Sequence, residues 1–468
     1  MIGDLKPYPE YKESGLPWLG QVPEHWSVGR IKTVLRETEC RSVDGLGMLL
    51  SLTRIRGLIP HKDMTDKMHG AKTLVGYKRY SSGQLVMNRM QAWSGMFGAG
   101  AIDGLVSPDY AVFDVLGGHT IKFILELLKT PDLVAQFALE SKGIGSGFNR
   151  LYTDRFGAIQ ISLPSPDEQA AIVRFLDWAN GRLERTIRAK RKVIALLNEQ
   201  KQAIIHHAVI RGLDPSAPLK PSGIPWLGDI PQHWEVRRLK FVASRIVDCL
   251  HATPRYTDSG SYPAIRTADI SPGIVHVTKA KKISAAEYAR WTIRLEPREG
   301  DILYSREGER FGIAACVPGG VKLCISQRMM VFRIAEDFCA DFVMHLLNSW
   351  STYGQALQDV MGATAPHVNI STTRNYFLAL PPTKQEQETV VRLIKSETSP
   401  IGTAMSRLER EITLLREYRT RLVADVVTGK LDVREAAARL PNEAPPEIAE
   451  DEGELGIDPE AADEEDVA

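Results

Sequence analysis

Two His–Trp pairs, His25-Trp26 and His233-Trp234, are the most conspicuous chemistry-bearing side chains in the sequence. A histidine can serve as acid, base or metal ligand near neutral pH. Neither of these has an acid or nucleophile at a useful spacing, so both read as packed residues beside a tryptophan that anchors a core. Pro131-Asp132 followed by Glu140-Ser141-Lys142 has the order of a PD…ExK nuclease. That chemistry needs carboxylates on adjacent strands converging on a divalent ion, whereas these residues lie in or beside an expected helix. Gly70-Ala71-Lys72-Thr73 lacks the upstream glycine of a phosphate loop. There is no glycine-rich cofactor turn and no (N/D)PP(Y/F) tetrapeptide of the kind a DNA methyltransferase carries. The five cysteines form no CxxC pair and read as reduced thiols rather than disulfides or zinc ligands. No Ser/His/Asp or Cys/His set stands out. The sequence argues for recognition, with no catalytic residue, metal or cofactor on this chain.

Charge gives the recognition a sign. The formal net charge is +0, yet the last 28 residues, from Pro441, hold 12 acidic residues and no lysine or arginine. Removing them leaves 58 basic against 46 acidic residues. The body is therefore basic, which favours a polyanionic partner, and residues 435–468 are expected to form an acidic disordered tail. No apolar run is long enough to cross a bilayer, and the polar N-terminus lacks the apolar stretch of a signal peptide. The expected location is cytoplasmic.

The elements that position these residues come in two copies. Ser14 to Lys32, SGLPWLGQVPEHWSVGRIK, recurs as SGIPWLGDIPQHWEVRRLK from Ser222 to Lys240, with 12 of 19 positions identical. A repeat of this length means two homologous halves, at a domain-sized period. Pro17, Gly20 and Pro23 exclude a helix and indicate a turn-rich segment. In each half short apolar segments then read as strands. In the first these are Met48–Leu52, Leu74–Tyr77, Leu85–Met90 and Ala111–Val115; in the second, Asp301–Tyr304 and Met329–Phe332 within Phe241 to Phe332. Thr120–Leu128 has helical spacing, breaking at Pro131 and resuming to Lys142, and Phe342, Leu346 and Leu347 align with Phe123, Leu127 and Leu128. Gly143 and Gly362 are expected at helix ends. Final strands, Ala158–Leu163 and Phe377–Leu380, stop at Pro164 and Pro381.

A long charged helix follows each half. The first opens at Pro166-Asp167-Glu168-Gln169, with acids where the helix dipole favours them. It carries Ile172, Leu176, Leu183, Ile187, Ile194, Leu197 and Ile204 as a seam and stops at Gly212. The second opens near Gln385, carries Ile401, Met405, Leu408, Ile412, Leu415 and Leu422 in heptad steps, and stops at Gly429. Pro400 is expected to kink or split it. The fold class is α+β: two homologous mixed α/β domains separated by two long antiparallel coiled-coil helices, with pseudo-two-fold symmetry. The expected divisions are an arm (1–16), a first domain (17–164), a first helix (165–216), a second domain (217–381), a second helix (382–434) and the tail (435–468).

These residues resemble the specificity subunit of a type I restriction–modification system. The resemblance covers about residues 1–434. It rests on SGLPWLG…P.HW in both halves, on Leu163-Pro164…Glu168-Gln169 and Leu380-Pro381…Glu386-Gln387, and on Val427-Thr428-Gly429-Lys430-Leu431-Asp432-Val433-Arg434. Gly83-Gln84-Leu85-Val86…Asn88…Met90…Trp93 and Gly300-Asp301-Ile302-Leu303…Ser305-Arg306…Gly308 resemble its target-domain pattern. The acidic tail has no counterpart in that pattern. The resemblance implies that each globular half is a target recognition domain reading half of a bipartite double-stranded DNA site. It implies that the helices set the spacing and dock two methyltransferase (modification) subunits, and that two restriction (motor-nuclease) subunits complete the complex. S-adenosylmethionine, ATP and Mg²⁺ would then belong to those partners.

DNA readers use Lys and Arg for phosphates and Arg, Asn or Gln for base edges. The candidates in the first half are Lys62, Lys72, Lys78, Arg79, Asn88, Arg89, Gln91, Asn149 and Arg150. In the second they are Arg255, Tyr256, Arg266, Arg306, Arg310, Gln327, Arg328, His367, Asn369 and Arg374. The loops after Gly143 and Gly362 are favoured as groups. Two other readings stay open at this point: a stand-alone DNA-modifying enzyme, and a coiled-coil interaction protein that does not bind DNA.

Overall fold

The computed structural model describes residues 5–64, 73–143, 149–212, 214, 216–308, 310–358 and 367–441. It divides into two compact units, one comprising 1–189 with 411–468 and the other 190–410. Each long helix therefore contributes one part to each unit.

In the first unit the repeated segment is a hairpin. Tyr11–Glu13 pairs antiparallel with Gln21–Pro23, and the Pro- and Gly-rich stretch forms the connection. The chain continues through β1 (Ser27–Arg30), β2 (Leu35–Thr38), β3 (Leu85–Asn88), β4 (Phe97–Gly98) and β5 (Tyr110–Val115). Then come α1 (Ile121–Leu128), α2 (Pro131–Glu140), β6 (Gln160–Leu163) and α3 (Pro166–Arg211). Strands β2-β5-β3-β4 form an antiparallel sheet, and β6 pairs with β1. Alternation along the strands divides the core in two. Leu85, Met87, Ala111 and Phe113 pack with Phe123, Leu127, Phe137 and Phe156. Val86 and Val112 pack on the other face with Leu52, Leu58 and Tyr80.

The second unit repeats the plan. Leu219–Pro221 and Asp229–Pro231 form the hairpin. Next are β7 (Glu235–Arg238), β8 (Ala243–Asp248), β9 (Ile302–Ser305), β10 (Ala314–Cys316) and β11 (Met329–Ile334). Then follow α4 (Ala340–Leu347), α5 (Trp350–Gln358), β12 (Phe377–Leu380) and α6 (Lys384–Val427). The sheet order β8-β11-β9-β10 is the order seen in the first unit, and β12 pairs with β7 as β6 does with β1. On the other face of this sheet Leu303 and Val331 pack with Ile265 and Ile325. Tyr262–Ile265 pairs with Lys282–Ile283 and Cys324–Ile325, beside a helix at Ala285–Trp291, with Tyr262 and Tyr288 stacked at 4.2 Å.

The long helices run 46 and 44 residues, roughly 65–70 Å at 1.5 Å per residue. Within the first unit they pack antiparallel. Arg419 of α6 bridges Glu184 of α3 at 2.7 Å, while Leu422 and Val426 share a core with Ile172, Phe175 and Leu176. Within the second unit Ala208–Ile210 share a core with Val390 and Ile394. Ile172, Leu176, Leu183, Ile187, Ile412 and Leu422 are buried; Ile194, Leu197, Ile204, Ile401, Met405, Leu408 and Leu415 are half-buried.

Several local expectations are corrected. Pro400 does not split α6, which is continuous from Lys384 to Val427. A proline removes one rung of a ladder that many other rungs hold, and nearby hydroxyls bond back to the backbone, Ser396 to Leu393 and Thr403 to Ser399. The break expected at Pro131 is present: α1 ends at Leu128 and Pro131 opens α2, at the position where its missing N–H costs nothing. Leu74–Tyr77 is a turn before the strand Lys78–Tyr80, and Ala158 ends a short helix rather than starting β6. Helix Ala285–Trp291 interrupts a stretch that reads as strands; Ser284 caps it through the Glu287 N–H. Gly143 is not a helix cap: α2 ends at Glu140, and Gly143 pairs in a short strand with Asn149. Gly362 and the loop after Gly143 lie outside the described residues.

Candidate nucleic-acid interface

Each His–Trp pair meets the start of a long helix. Trp26, fully buried, donates its indole N–H to Glu168 Oε1 at 3.2 Å, and His25 Nε2 lies 2.8 Å from Glu168 Oε2. Trp234 and His233 do the same to Glu386 Oε1, at 3.1 and 2.9 Å. The adjacent glutamines tie each helix to its domain. Gln169 accepts from the Thr120 N–H before α1 and donates to the Pro164 carbonyl; Gln387 accepts from the Cys339 N–H before α4 and donates to the Pro381 carbonyl. The Leu-Pro…Glu-Gln spacing thus sets a strand end, a helix start and a domain helix in one register. The other end of each long helix abuts the same tryptophans. Gly212 and Gly429 have φ of +75° and +80°, the usual helix-ending conformation. A Cβ on either would lie 3.1 Å from Trp234 or 3.2 Å from Trp26. In the first unit Tyr8 also donates to Glu168, at 2.7 Å. Burial first, then this bond, pushes the Tyr8 phenol far above its ordinary range.

A subset of the candidate residues gathers where β3 and β9 end: Asn88, Arg89 and Gln91 in the first unit, and Arg306, Arg328, His367 and Asn369 in the second. In the first unit Asn88 Nδ2 donates to Gln91 Oε1 at 2.7 Å, and Asn88 Oδ1 accepts from the Met90 N–H. Arg89 is clamped by Glu37 and Glu39, and its carbonyl accepts from the Leu151 N–H. Lys78 is 0% exposed, with its ammonium 2.8 Å from Glu39 and 3.5 Å from Glu37. That hydrogen bond holds the Glu39 carboxyl below the usual range. Arg79 faces Asp44 at 3.6 Å, and half-buried Arg150 faces Asp109 at 3.6 Å. Lys62 and Asn149 are exposed, and Lys72 lies outside the described residues.

In the second unit the same end of the sheet carries a cleft of about 490 Å³, lined by Asp248, His251, Arg306, Glu307, His367, Asn369, Ile370 and Ser371. Arg306 is buried between Asp248 and Glu307, each at 3.2 Å. Glu307 also faces Arg328 at 3.5 Å and bridges to the strand-like backbone of His367. Gln327 accepts from Thr253 at 3.0 Å, and Tyr256 bonds Ser326. Arg266 is chelated by Asp269, which raises its pKa, and Arg310 donates to the Ile270 carbonyl at 2.7 Å. Arg255 and Arg374 are exposed, Arg374 at the end of the short helix Ile370–Arg374 whose first residues line the cleft.

The two clusters are equivalent in register. Arg89 and Arg306 each follow a central strand, and each is held by acids at the end of the edge strand β2 or β8. At the other end of the same strand Gln84 donates to Asp114 at 2.8 Å, and at the same place in the second unit Asp301 accepts from Arg333 at 2.7 and 2.9 Å. The pair is kept and its polarity reversed. Lys78, Arg89 and Arg306 therefore build this surface rather than offering it a free charge.

No family model matches the chain. The specificity subunit of the type I restriction enzyme MjaIX from Methanocaldococcus jannaschii is 21% identical over 324 residues, covering 68% of this chain and 71% of that one. The chain is a homologue of a type I restriction enzyme specificity subunit. A chain solved in a study of complex assembly and conformational transition of the type I R-M system shares the fold. Its TM-score is 0.61 at 14% identity, covering 88% of this chain and 99% of that one. The HsdS subunit from Thermoanaerobacter tengcongensis matches at 17% identity and a TM-score of 0.45, covering 88% and 98%.

For this specificity-subunit homologue, sequence reasoning missed the acids. Glu37, Glu39, Asp248 and Glu307 decide which of the basic candidates are committed. Glu307 adjoins Arg306 in sequence, but Glu37, Glu39 and Asp248 reach the cations they hold across strands far apart in the chain. The functions of Glu168 and Glu386 were closer to hand, since both stand at one place in a duplicated motif.

Proposed function

We propose that this chain is the sequence-specific DNA-binding specificity subunit of a type I restriction–modification complex. Each unit's domain, 17–164 and 217–381, reads one half of a bipartite duplex site. The long helices fix the number of base pairs between the half-sites and dock two methyltransferase subunits. Adenine-N6 methylation with S-adenosylmethionine, and restriction with ATP and Mg²⁺ by two motor-nuclease subunits, belong to those partners. This chain is non-catalytic, and it acts in the cytoplasm, where its DNA is.

The observation that carries the reading is the recurrence of one polar cluster at one end of two equivalent sheets, one in each half of a duplicated chain that is similar to a specificity subunit. Two copies of one scaffold with different side chains at the same place are what two different half-sites require. Amide and guanidinium groups are the side chains that read base edges, and committed ion pairs hold such groups in fixed geometry. The half-buried seams, Ile194, Leu197 and Ile204 on α3 and Ile401, Met405 and Leu408 on α6, suit a spacer that keeps its length. Exchanging residues 17–164 for the matching domain of another specificity subunit tests the reading. One half of the methylated motif changes and the other stays; loss or change of both halves rejects it.

A further inference from the structure

Among the described residues Arg328 is the only non-glycine residue with a positive φ, +69°. Glycine takes this conformation freely, and asparagine or aspartate can offset it locally; arginine has neither advantage. The strain is imposed by the turn Ser326-Gln327-Arg328, which joins Cys324–Ile325 to β11. Its backbone is pinned on both sides. The Ser326 N–H donates to the Ile265 carbonyl at 2.8 Å, the Arg328 carbonyl accepts from the Arg306 N–H at 3.1 Å, and the next carbonyl, of Met329, accepts from the Cys249 N–H at 3.1 Å.

The side chain at this costly position is not buried. Arg328 is 52% exposed, and its Nε lies 3.5 Å from Glu307 Oε2. Its guanidinium packs over Gly308, where a Cβ would lie 3.9 Å from Nη1. Glu307 is itself fixed by Arg306 and by its bridge to His367. A long, flexible cation is thus held at both ends: at the backbone by three hydrogen bonds, at the head by an anchored carboxylate. Strain of this kind persists where surrounding structure over-determines it, and it collects at functional sites. The equivalent residue of the first unit, Asp109 before β5, has no positive φ and faces Arg150, so the device is particular to the second unit.

We infer that Arg328 reads a guanine in the half-site of the second unit, and that Glu307 is the positioning residue that aims it. A guanidinium fork matches guanine O6 and N7 in the major groove, and fixing the fork beforehand removes the ordering cost of the contact. The inference rests on the DNA-recognition reading above.

The test uses the full chain, wild type and Arg328→Gly, each in complex with the methyltransferase subunit. A duplex pool of random sequence is methylated and the modified molecules are sequenced; thermal unfolding is followed in parallel. Glycine keeps the backbone conformation and relieves its strain, so the midpoint should hold or rise. One guanine position of the half-site read by the second unit should lose its preference by about tenfold or more, with the other half-site unchanged. A retained guanine preference overturns the inference. So does a uniform loss of binding with a salt slope lower by about one, which marks a phosphate contact. So does a lowered midpoint with the whole half-site lost, which marks a structural role. If the wild-type complex yields no bipartite motif, the recognition reading fails and this inference falls with it.

Discussion

Glu386 accepts the indole N–H of Trp234 at 3.1 Å, and Glu168 accepts that of Trp26 at 3.2 Å. One carboxylate per domain joins the repeated His-Trp segment to the first turn of a spacer helix. In the first unit the carboxylate carries Tyr8 and His25 as well. Glu168→Ala would orphan the buried indole N–H and the Tyr8 hydroxyl, at about 1–3 kcal/mol for each buried orphan. We expect a lower denaturant midpoint for the cooperative unit that contains 1–189. Glu386→Ala should cost less, because only His233 and Trp234 depend on it and His233 is half-exposed. Equal losses in the two variants would show that Tyr8 adds nothing.

Arg306→Ala changes stability before it changes binding. The sequence alone predicts weaker specific binding with the fold intact. The structure instead buries Arg306 at 7% exposure between Asp248 and Glu307, and removing one partner of a buried pair typically costs about 3–5 kcal/mol. Glu307 is partly exposed, so the lower end applies. Chemical denaturation of the variant should show the loss; an unchanged midpoint would return Arg306 to the group of free contact residues.

The two sheets also make a reciprocal prediction. Asp301 and Arg333 in the second unit stand where Gln84 and Asp114 stand in the first. Asp301→Gln or Arg333→Asp alone breaks a nearly buried, bidentate pair and should destabilise by about 2 kcal/mol or more. Together they recreate the arrangement of the first unit, with Arg245 in register beside position 333 as Arg36 is beside Asp114. A double-mutant cycle should therefore show a favourable coupling above about 0.5 kcal/mol; strict additivity would deny the equivalence.

Acid should weaken the second unit through His345. Burial, with Lys201 adding to it and Asp341 opposing it, lowers this imidazole from 6.5 to about 4. The unfolded chain then takes up a proton that the folded chain refuses. The contribution is complete above about pH 6.5 and is lost as pH falls towards about 4. In His345→Gln the stability curve should be flatter across that window. The same slope in wild type and variant would place the titration elsewhere.

The two-domain plan was legible because it was written twice. Proline and glycine positions in the repeat, the short apolar strands at Leu85 and Met329 and the helix expected from the spacing after Ile401 all survive in the structure, since each is set by local chemistry. What local chemistry does not set was missed. Pro400 sits in a helix long enough to absorb it. The helix at Ala285–Trp291 has no counterpart among the described residues of the first unit. Among candidate contacts, Lys78 and Arg328 are both merely basic in sequence. Only the strands that bring Glu37 and Glu39 over Lys78, and the turn that forces Arg328 to +69°, separate a buried charge from a presented one.

The central claim, two readers on one chain, is tested most directly by co-expressing this chain with its methyltransferase partner and sequencing the host DNA for N6-methyladenine. The account predicts methylation at a split motif, two short half-sites about a fixed gap. Methylation at a single continuous motif would contradict it.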